Sequence, residues 1–282
     1  MSETVALQEL AAGRRLTVGG IDTFVHEAGD GAAVLLIHGS GPGVSGWANW
    51  RLVLPALSER FHVVAHDQVG YNQTAPLPEG GRYGRKIWTE HALGLLDELG
   101  ITRVHLVGNS MGGAIALSMA VARPELVDRI VLMGTMGLQM PIPPGLDELW
   151  GYAPSREAMK RAIELLAFDQ RINTPELVEL RYEASTRPGI DEAWQQMFPA
   201  PRQRWVDDLA LSDPELRSVA NPVLLVHGFN DQVIPFRATS LALMEILSDV
   251  RMHVFGHTGH WVQIERNDEF NAVVAEFLAG GA

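Results

Sequence analysis

Short apolar runs recur along the chain: "VLLIHG" (34–39), "HVVAHD" (62–67), "VHLVGNS" (104–110), "RIVLMG" (129–134), "PVLLVHG" (222–228) and "RMHVFG" (251–256). Runs this short, rich in Val, Ile and Leu, predict strands that are apolar on both faces. Between several of them lie segments of helical pattern, at 86–99, 111–122, 238–247 and 268–278. Alternation of this kind predicts an α/β architecture: a mostly parallel sheet flanked by helices, with chemistry in the loops at the carboxyl ends of the strands. The stretch before Val34 is expected to add antiparallel edge strands.

The alternation stops between about 137 and 213. That region opens with the proline-rich "LQMPIPPG" and continues through "REAMKRAIELLAF", "TPELVELRYEAS" and "DEAWQQMFPAPRQRWVDDL", all helical in pattern. It reads as a helical lid inserted over the carboxyl edge of the sheet, dividing the core into 1–136 and 214–282. A separate helical domain is the alternative, and the return of strand and helix alternation afterwards speaks against it.

Composition narrows the partners. Of 282 residues, 46% are hydrophobic and 20% charged, an ordinary globular balance. No apolar run is long enough to span a bilayer, and "MSETVALQELAAGRRL" is acidic and mixed where a signal peptide would be basic and then apolar. The expectation is a cytoplasmic protein with no membrane partner. A net charge of -12 argues against nucleic acid, and the lack of cysteine removes disulfides and thiolate chemistry.

One stretch carries chemistry. Gly108-Asn109-Ser110-Met111-Gly112 is G-x-S-x-G, placed after a predicted strand and at the start of a predicted helix. So sharp a turn strains the serine's backbone, and glycines on either side are expected to make room for it. The helix amino terminus behind Ser110 offers free N–H groups to a developing oxyanion. A serine that merely capped a helix would not need the glycines.

A serine hydroxyl needs a base, and the base needs an orienting acid. Four histidines lie downstream. His227 ends a strand and His253 lies within one, so both read as structural; His257 and His260 share the loop "FGHTGHW". His260 is favoured because Gly259 gives its backbone freedom and Trp261 can wall the site. Asp231, at the end of "PVLLVHGFND", is placed to reach an imidazole, whereas Asp207, Asp208 and Asp213 read as solvated. The loop "HGSGPGVSGWANW" supplies the second half of an oxyanion hole, with the amides of Ser40 and Met111 as donors and His38 as a structural residue.

Together these residues resemble an α/β-hydrolase, and more narrowly the meta-cleavage product hydrolases of aromatic catabolism, closest to those acting on 2-hydroxymuconic semialdehyde and its 6-alkyl analogues. The resemblance rests on "HGSGPGVSGWANWR", "VGNSMGGA", "GLDELWGYAPS", "FDQRINTPELVELRYEASTRPG", "MFPAPRQRWVD", "HGFNDQVIP" and "HVFGHTGHWVQIE", which together cover most of the chain from Val34 to Glu265. It implies Ser110 as nucleophile, Asp231 as acid and His260 as base, with Asn49, Asn109, Arg181 and Trp261 lining the polar half of the site. Leu146, Trp150, Val233 and Ile234 resemble positions that shape its apolar end. The implied reaction is hydrolysis of a carbon-carbon bond in a 2-hydroxy-6-oxo-2,4-dienoate, without metal or organic cofactor. Acyl-enzyme and gem-diol routes both remain open, the well-formed elbow favouring the first. A homo-oligomer is also left open.

One loop departs from the family pattern. "DQVGYNQTAP" has Asn72 where relatives carry a second glycine and Ala75 where they carry an acid. The rival functions are a serine carboxylesterase on the same scaffold and a hydrolase-fold receptor that binds a small ligand without turnover.

Overall fold

The structure, a computed structural model, describes residues 10–281; the start of the acidic amino-terminal stretch lies outside them. Eight strands form one sheet: β1 (Arg14–Val18), β2 (Ile21–Ala28), β3 (Ala33–Ile37), β4 (His62–His66), β5 (Val104–Asn109), β6 (Val127–Met133), β7 (Val223–Gly228) and β8 (Val250–Phe255). Their order is β1-β2-β4-β3-β5-β6-β7-β8. The first two strands pair antiparallel, as does β2 with β4, and every other pairing is parallel.

Period-two alternation of side chains explains the unbroken apolar runs. Along β3, Leu35 and Ile37 enter the larger core, while Val34 and Leu36 enter the smaller core on the opposite face. Both faces are covered, so neither set of positions can be polar. The run at 251–256 is a correction to the expected pattern. As the sheet's outer parallel strand, β8 alternates between partly buried and exposed residues, and it reaches full burial only at Phe255.

Strand order places the site. After β3 the chain steps outward to β4, then returns to lay β5 on the other side of β3, so the loops leaving β3 and β5 diverge above adjacent parallel strands. Crevices at such switch points are where open α/β sheets bind ligands. Helix α1 (Gly46–Trp50) follows the β3 loop, and helix α2 (Met111–Ala122), buried as far as Ala120, follows β5 directly.

Between β6 and β7 the described residues form helices and no strand. They include α3 (Pro144–Trp150), α4 (Arg156–Leu166), α5 (Pro175–Ser185), α6 (Ile190–Met197) and α7 (Gln203–Leu209). Side-chain oxygens of Ser155 and Thr174 accept from backbone N–H groups and cap α4 and α5. A backbone bond from Leu211 N to Gly137 O, 2.9 Å, closes the two ends of the segment on each other. No helix among the described residues is long and apolar enough to cross a membrane.

Candidate active site

Ser110 sits in the turn between β5 and α2 at φ 56°, ψ -119°, a strained conformation for a residue with a side chain. The flanking glycines are required by close approach, since neither has a positive φ. A Cβ on Gly108 would meet Gly112 and Gly113, and one on Gly112 would press into the carbonyl of Ile37. Gly39, on the β3 loop, comes so near that a Cβ there would lie 2.9 Å from that of Ser110. Met111 opens α2, so its N–H has no carbonyl within the helix to bond. Ser40, on the β3 loop, lines the same cavity as Ser110.

Asp231 and His260 arrive from the loops after β7 and β8. Nδ1 of His260 lies 2.6 Å from Oδ2 of Asp231, leaving Nε2 as the nitrogen free to meet a substrate or Ser110. The other carboxylate oxygen accepts the N–H groups of Val233 and Ile234, both at 2.8 Å. Burial works to raise the Asp231 carboxyl; the charge of His260 and hydrogen bonds from His227 and His260 outweigh it and hold the group well below the usual carboxylate range. His257 is exposed and points elsewhere, at φ 52° beside the Phe168 ring; His253 is exposed on β8. Asp207 and Asp213 are exposed, and Asp208, also exposed, accepts from Arg85 N at 2.8 Å.

A small cavity of about 20 Å³ brings Ser110 and His260 together with Ser40, Asn49, Asn109, Arg181 and Trp261. Arg181 projects from α5 and is 7% exposed, yet no carboxylate pairs with it among the described residues. One guanidinium nitrogen, Nη2, donates to Pro42 O at 2.9 Å, Nε is buried without a partner, and the group stands 5.0 Å over the Trp261 ring. Burial, aided by the charge of Arg51, pushes it down to about 10. Nδ2 of Asn49 is likewise buried and unpartnered, while Asn109 Nδ2 donates to Met133 O.

The residues expected at the apolar end lie elsewhere. Leu146, Trp150, Val233 and Ile234 are buried, but the apolar wall is made by Val44, Leu149 and Leu166. Trp150 acts one layer back: its Nε1 donates to Ser40 Oγ at 2.8 Å, and its ring stacks on Phe198 with centroids 4.3 Å apart. Val233 and Ile234 contribute through their backbone amides.

Three further positions hold the site, of which sequence reasoning passed over Gly134 and Glu265. His227, read as structural, lies 3.2 Å from Asp231 Oδ2, with its own Nδ1 on Ser240 Oγ. Gly134, at φ 51°, packs so closely that a Cβ would sit 3.0 Å from the His260 ring. Glu265 accepts N–H groups from Gly259, Phe168 and Asp169, which ties the His260 loop to the segment after α4. The departing loop is explained too. Asn72 takes φ 47°, which asparagine tolerates better than other side chains, and links Asp67 on one side to Arg187 on the other. No cluster of three His, Cys, Asp or Glu residues able to hold a metal occurs among the described residues.

Comparison with known proteins agrees with this geometry. Residues 34–273 match the alpha/beta hydrolase family. The chain is 49% identical to a 2-hydroxy-6-oxo-2,4-heptadienoate hydrolase of Pseudomonas putida, over 95% of this chain and 96% of the other. It is 48% identical to a 2-hydroxymuconate semialdehyde hydrolase of Pseudomonas sp. strain CF600, over 95% and 94%. A solved meta-cleavage product hydrolase from Pseudomonas fluorescens IP01 (CumD) superposes with a TM-score of 0.93 at 46% identity, covering 95% of this chain and 98% of that one.

Proposed function

Because the chain belongs to the α/β-hydrolases and, within them, to the meta-cleavage product hydrolases, we propose that it hydrolyses the carbon-carbon bond of a 2-hydroxy-6-oxo-2,4-dienoate. The products are 2-hydroxypenta-2,4-dienoate and a short carboxylic acid. The observation that carries this reading is Arg181. A buried guanidinium without an anion is costly, and here it shares one small cavity with Ser110 and His260. Bound substrate carboxylate supplies the missing charge through a fork of N–H donors.

Anchored there, the dienol shifts to its keto tautomer and becomes an electron sink for the bond that breaks. Ser110 Oγ adds to the 6-oxo carbon while His260 takes its proton, and the oxyanion is met by the Ser40 and Met111 amides. As the bond breaks, its electron pair passes along the conjugated chain to the 2-oxygen, which takes the proton held by His260; the acyl group left on Ser110 is then removed by water, with the freed His260 as base. Asn49 and Asn109 orient the polar end, and the strained elbow favours this covalent route over direct addition of water. Leu149 on the cavity wall, and Trp150 bonded to Ser40 and backed by Phe198, support hydrogen or a short alkyl group at position 6.

A cavity of about 20 Å³ holds little more than one water, so entry requires its wall to part. On this reading residues 137–213 are a lid over a core of 1–136 and 214–282, and the enzyme works in the cytoplasm on a small soluble acid, with neither nucleic acid nor membrane as partner. The experiment is a direct comparison of substrates. Purified protein should bleach a yellow 2-hydroxy-6-oxo-dienoate with a far higher kcat/KM than it shows for a nitrophenyl ester. The opposite preference identifies a carboxylesterase, and turnover of neither identifies a receptor.

A further inference from the structure

Arg181 borders a second space. On the outer side of α5 lies a groove of about 290 Å³, whose walls include Arg51, Arg181, Arg187, Trp47, Leu180 and His26. The chain carries 34 acidic residues against 22 lysines and arginines, so three arginines converging on one groove run against its overall balance. Their hydrogen bonds go to neutral acceptors: Arg51 Nη1 to Ala48 O at 2.8 Å, Arg181 Nη2 to Pro42 O at 2.9 Å, and Arg187 Nη1 to Asn72 Oδ1 at 2.6 Å. Among the described residues none of the three forms an ion pair, although many of the surface arginines do. The acid nearby, Asp67, is already held by Gly46 N, Asn72 Nδ2 and Gln73 N.

One buried donor at this groove also lacks a partner, Nε of Arg181. Trp47 and the exposed Leu180, 64% accessible, give the basic walls an apolar lip. The combination matches a carboxylate on a conjugated hydrocarbon tail, and the volume suits a molecule of that size. The inner cavity and the outer groove have Arg181 in common.

We propose that this groove is an antechamber that captures the substrate's carboxylate on Arg51 and Arg187 and passes it to Arg181 at the cavity wall. The inference rests on the dienoate reading above. It gives a strongly acidic protein a local field that attracts an anion its net charge would repel. Arg187 is exposed and Arg51 half-buried, and neither lines the cavity that holds Ser110 and His260.

The test compares the wild type with an Arg51→Gln/Arg187→Gln double variant, using a 2-hydroxy-6-oxo-dienoate and a neutral nitrophenyl ester at low and raised KCl. The double variant should keep kcat for the dienoate while kcat/KM at low salt falls about threefold to tenfold, and its response to KCl should flatten. Ester hydrolysis should be unchanged. Should the double variant fold poorly, Arg187→Glu, at an exposed position, should lower dienoate kcat/KM with kcat intact. Equal kcat/KM and equal salt response in variant and wild type overturn the antechamber alone, and so does a parallel loss of ester hydrolysis, which marks the arginines as structural. A wild type inert toward the dienoate removes the proposed function and this inference with it.

Discussion

His227 and His260 contact the same carboxylate oxygen of Asp231, at 3.2 and 2.6 Å, while the other oxygen is filled by two backbone amides. Oδ1 is thus taken by two donors and Oδ2 by His260, while His227 Nε2, beside Oδ2, also lies 2.8 Å from Ile234 O. An amide in its place would aim an NH₂ at one of those donors and would favour the wrong tautomer of His260. Asp231→Asn should lower kcat by about 10⁴-fold, as the equivalent change does in other serine triads, with dienoate binding to the variant little altered. His227→Gln should give a smaller loss in kcat at unchanged KM. Stopped-flow turnover beside equilibrium binding separates the two; a loss confined to binding would contradict the assignment.

Arg181 opposes stability and function in a way one substitution can read. Its charge is buried, pushed down by burial to about 10, and unpaired in the free chain. Arg181→Met removes that charge while filling much of its volume, and should raise the free protein's stability by about 1 kcal/mol or more. The same change should cut kcat/KM for the dienoate by about 10- to 100-fold, the worth of charge-assisted hydrogen bonds to a carboxylate. Chemical denaturation and steady-state kinetics check the two halves. A destabilised variant with retained activity would show that Arg181 serves packing instead.

Much of the fold could be read because burial on both faces leaves a continuous apolar run, as in β3 and β5, and because G-x-S-x-G sits at a strand-to-helix junction. The limits have equally specific causes. The role of His227 depends on a chain reversal after β7, which no local pattern encodes. Gly134 matters only because the β8 loop brings His260 against it, and Glu265 because two segments about a hundred residues apart meet on one carboxylate. Trp150 was expected on the cavity wall; its indole instead turns to the Ser40 hydroxyl, and Leu149 takes the wall.

Close approach at the elbow makes a sharp contrast between glycines. A Cβ on Gly112 would collide with the carbonyls of Ile37, the last residue of β3, and of His38 just after it, where the backbone has little room to give way. Gly112→Ala should therefore cost about 2–3 kcal/mol by overpacking and displace Ser110. Gly256 has open space around its Cβ position and no positive φ, so Gly256→Ala should stay within about 0.5 kcal/mol of the wild type. Urea midpoints for the pair decide the matter, and equal costs would mean that the elbow glycine is replaceable.

Buried histidines set the acid limit of the fold. Burial pushes His38 and His91 down from 6.5 to about 4, and it lowers His66 as well, helped by the charges of His91 and His38. Between pH 6.5 and 4 the unfolded chain takes up protons that the folded chain refuses. Their contribution is therefore complete above pH 6.5 and is lost as pH falls toward 4, by up to about 3 kcal/mol for each of His38 and His91. Burial raises Asp67 and Glu265, which oppose the trend near the ordinary carboxylate range, so the clean window lies between pH 6.5 and 5. Asp231, held below that range, loses its contribution only at still lower pH. Urea unfolding at pH 7.5, 6 and 5 should show falling stability, and His91→Gln, which can still meet Thr23 Oγ1, should flatten the slope. An identical slope in the variant would mean that His91 is not one of the groups refusing the proton.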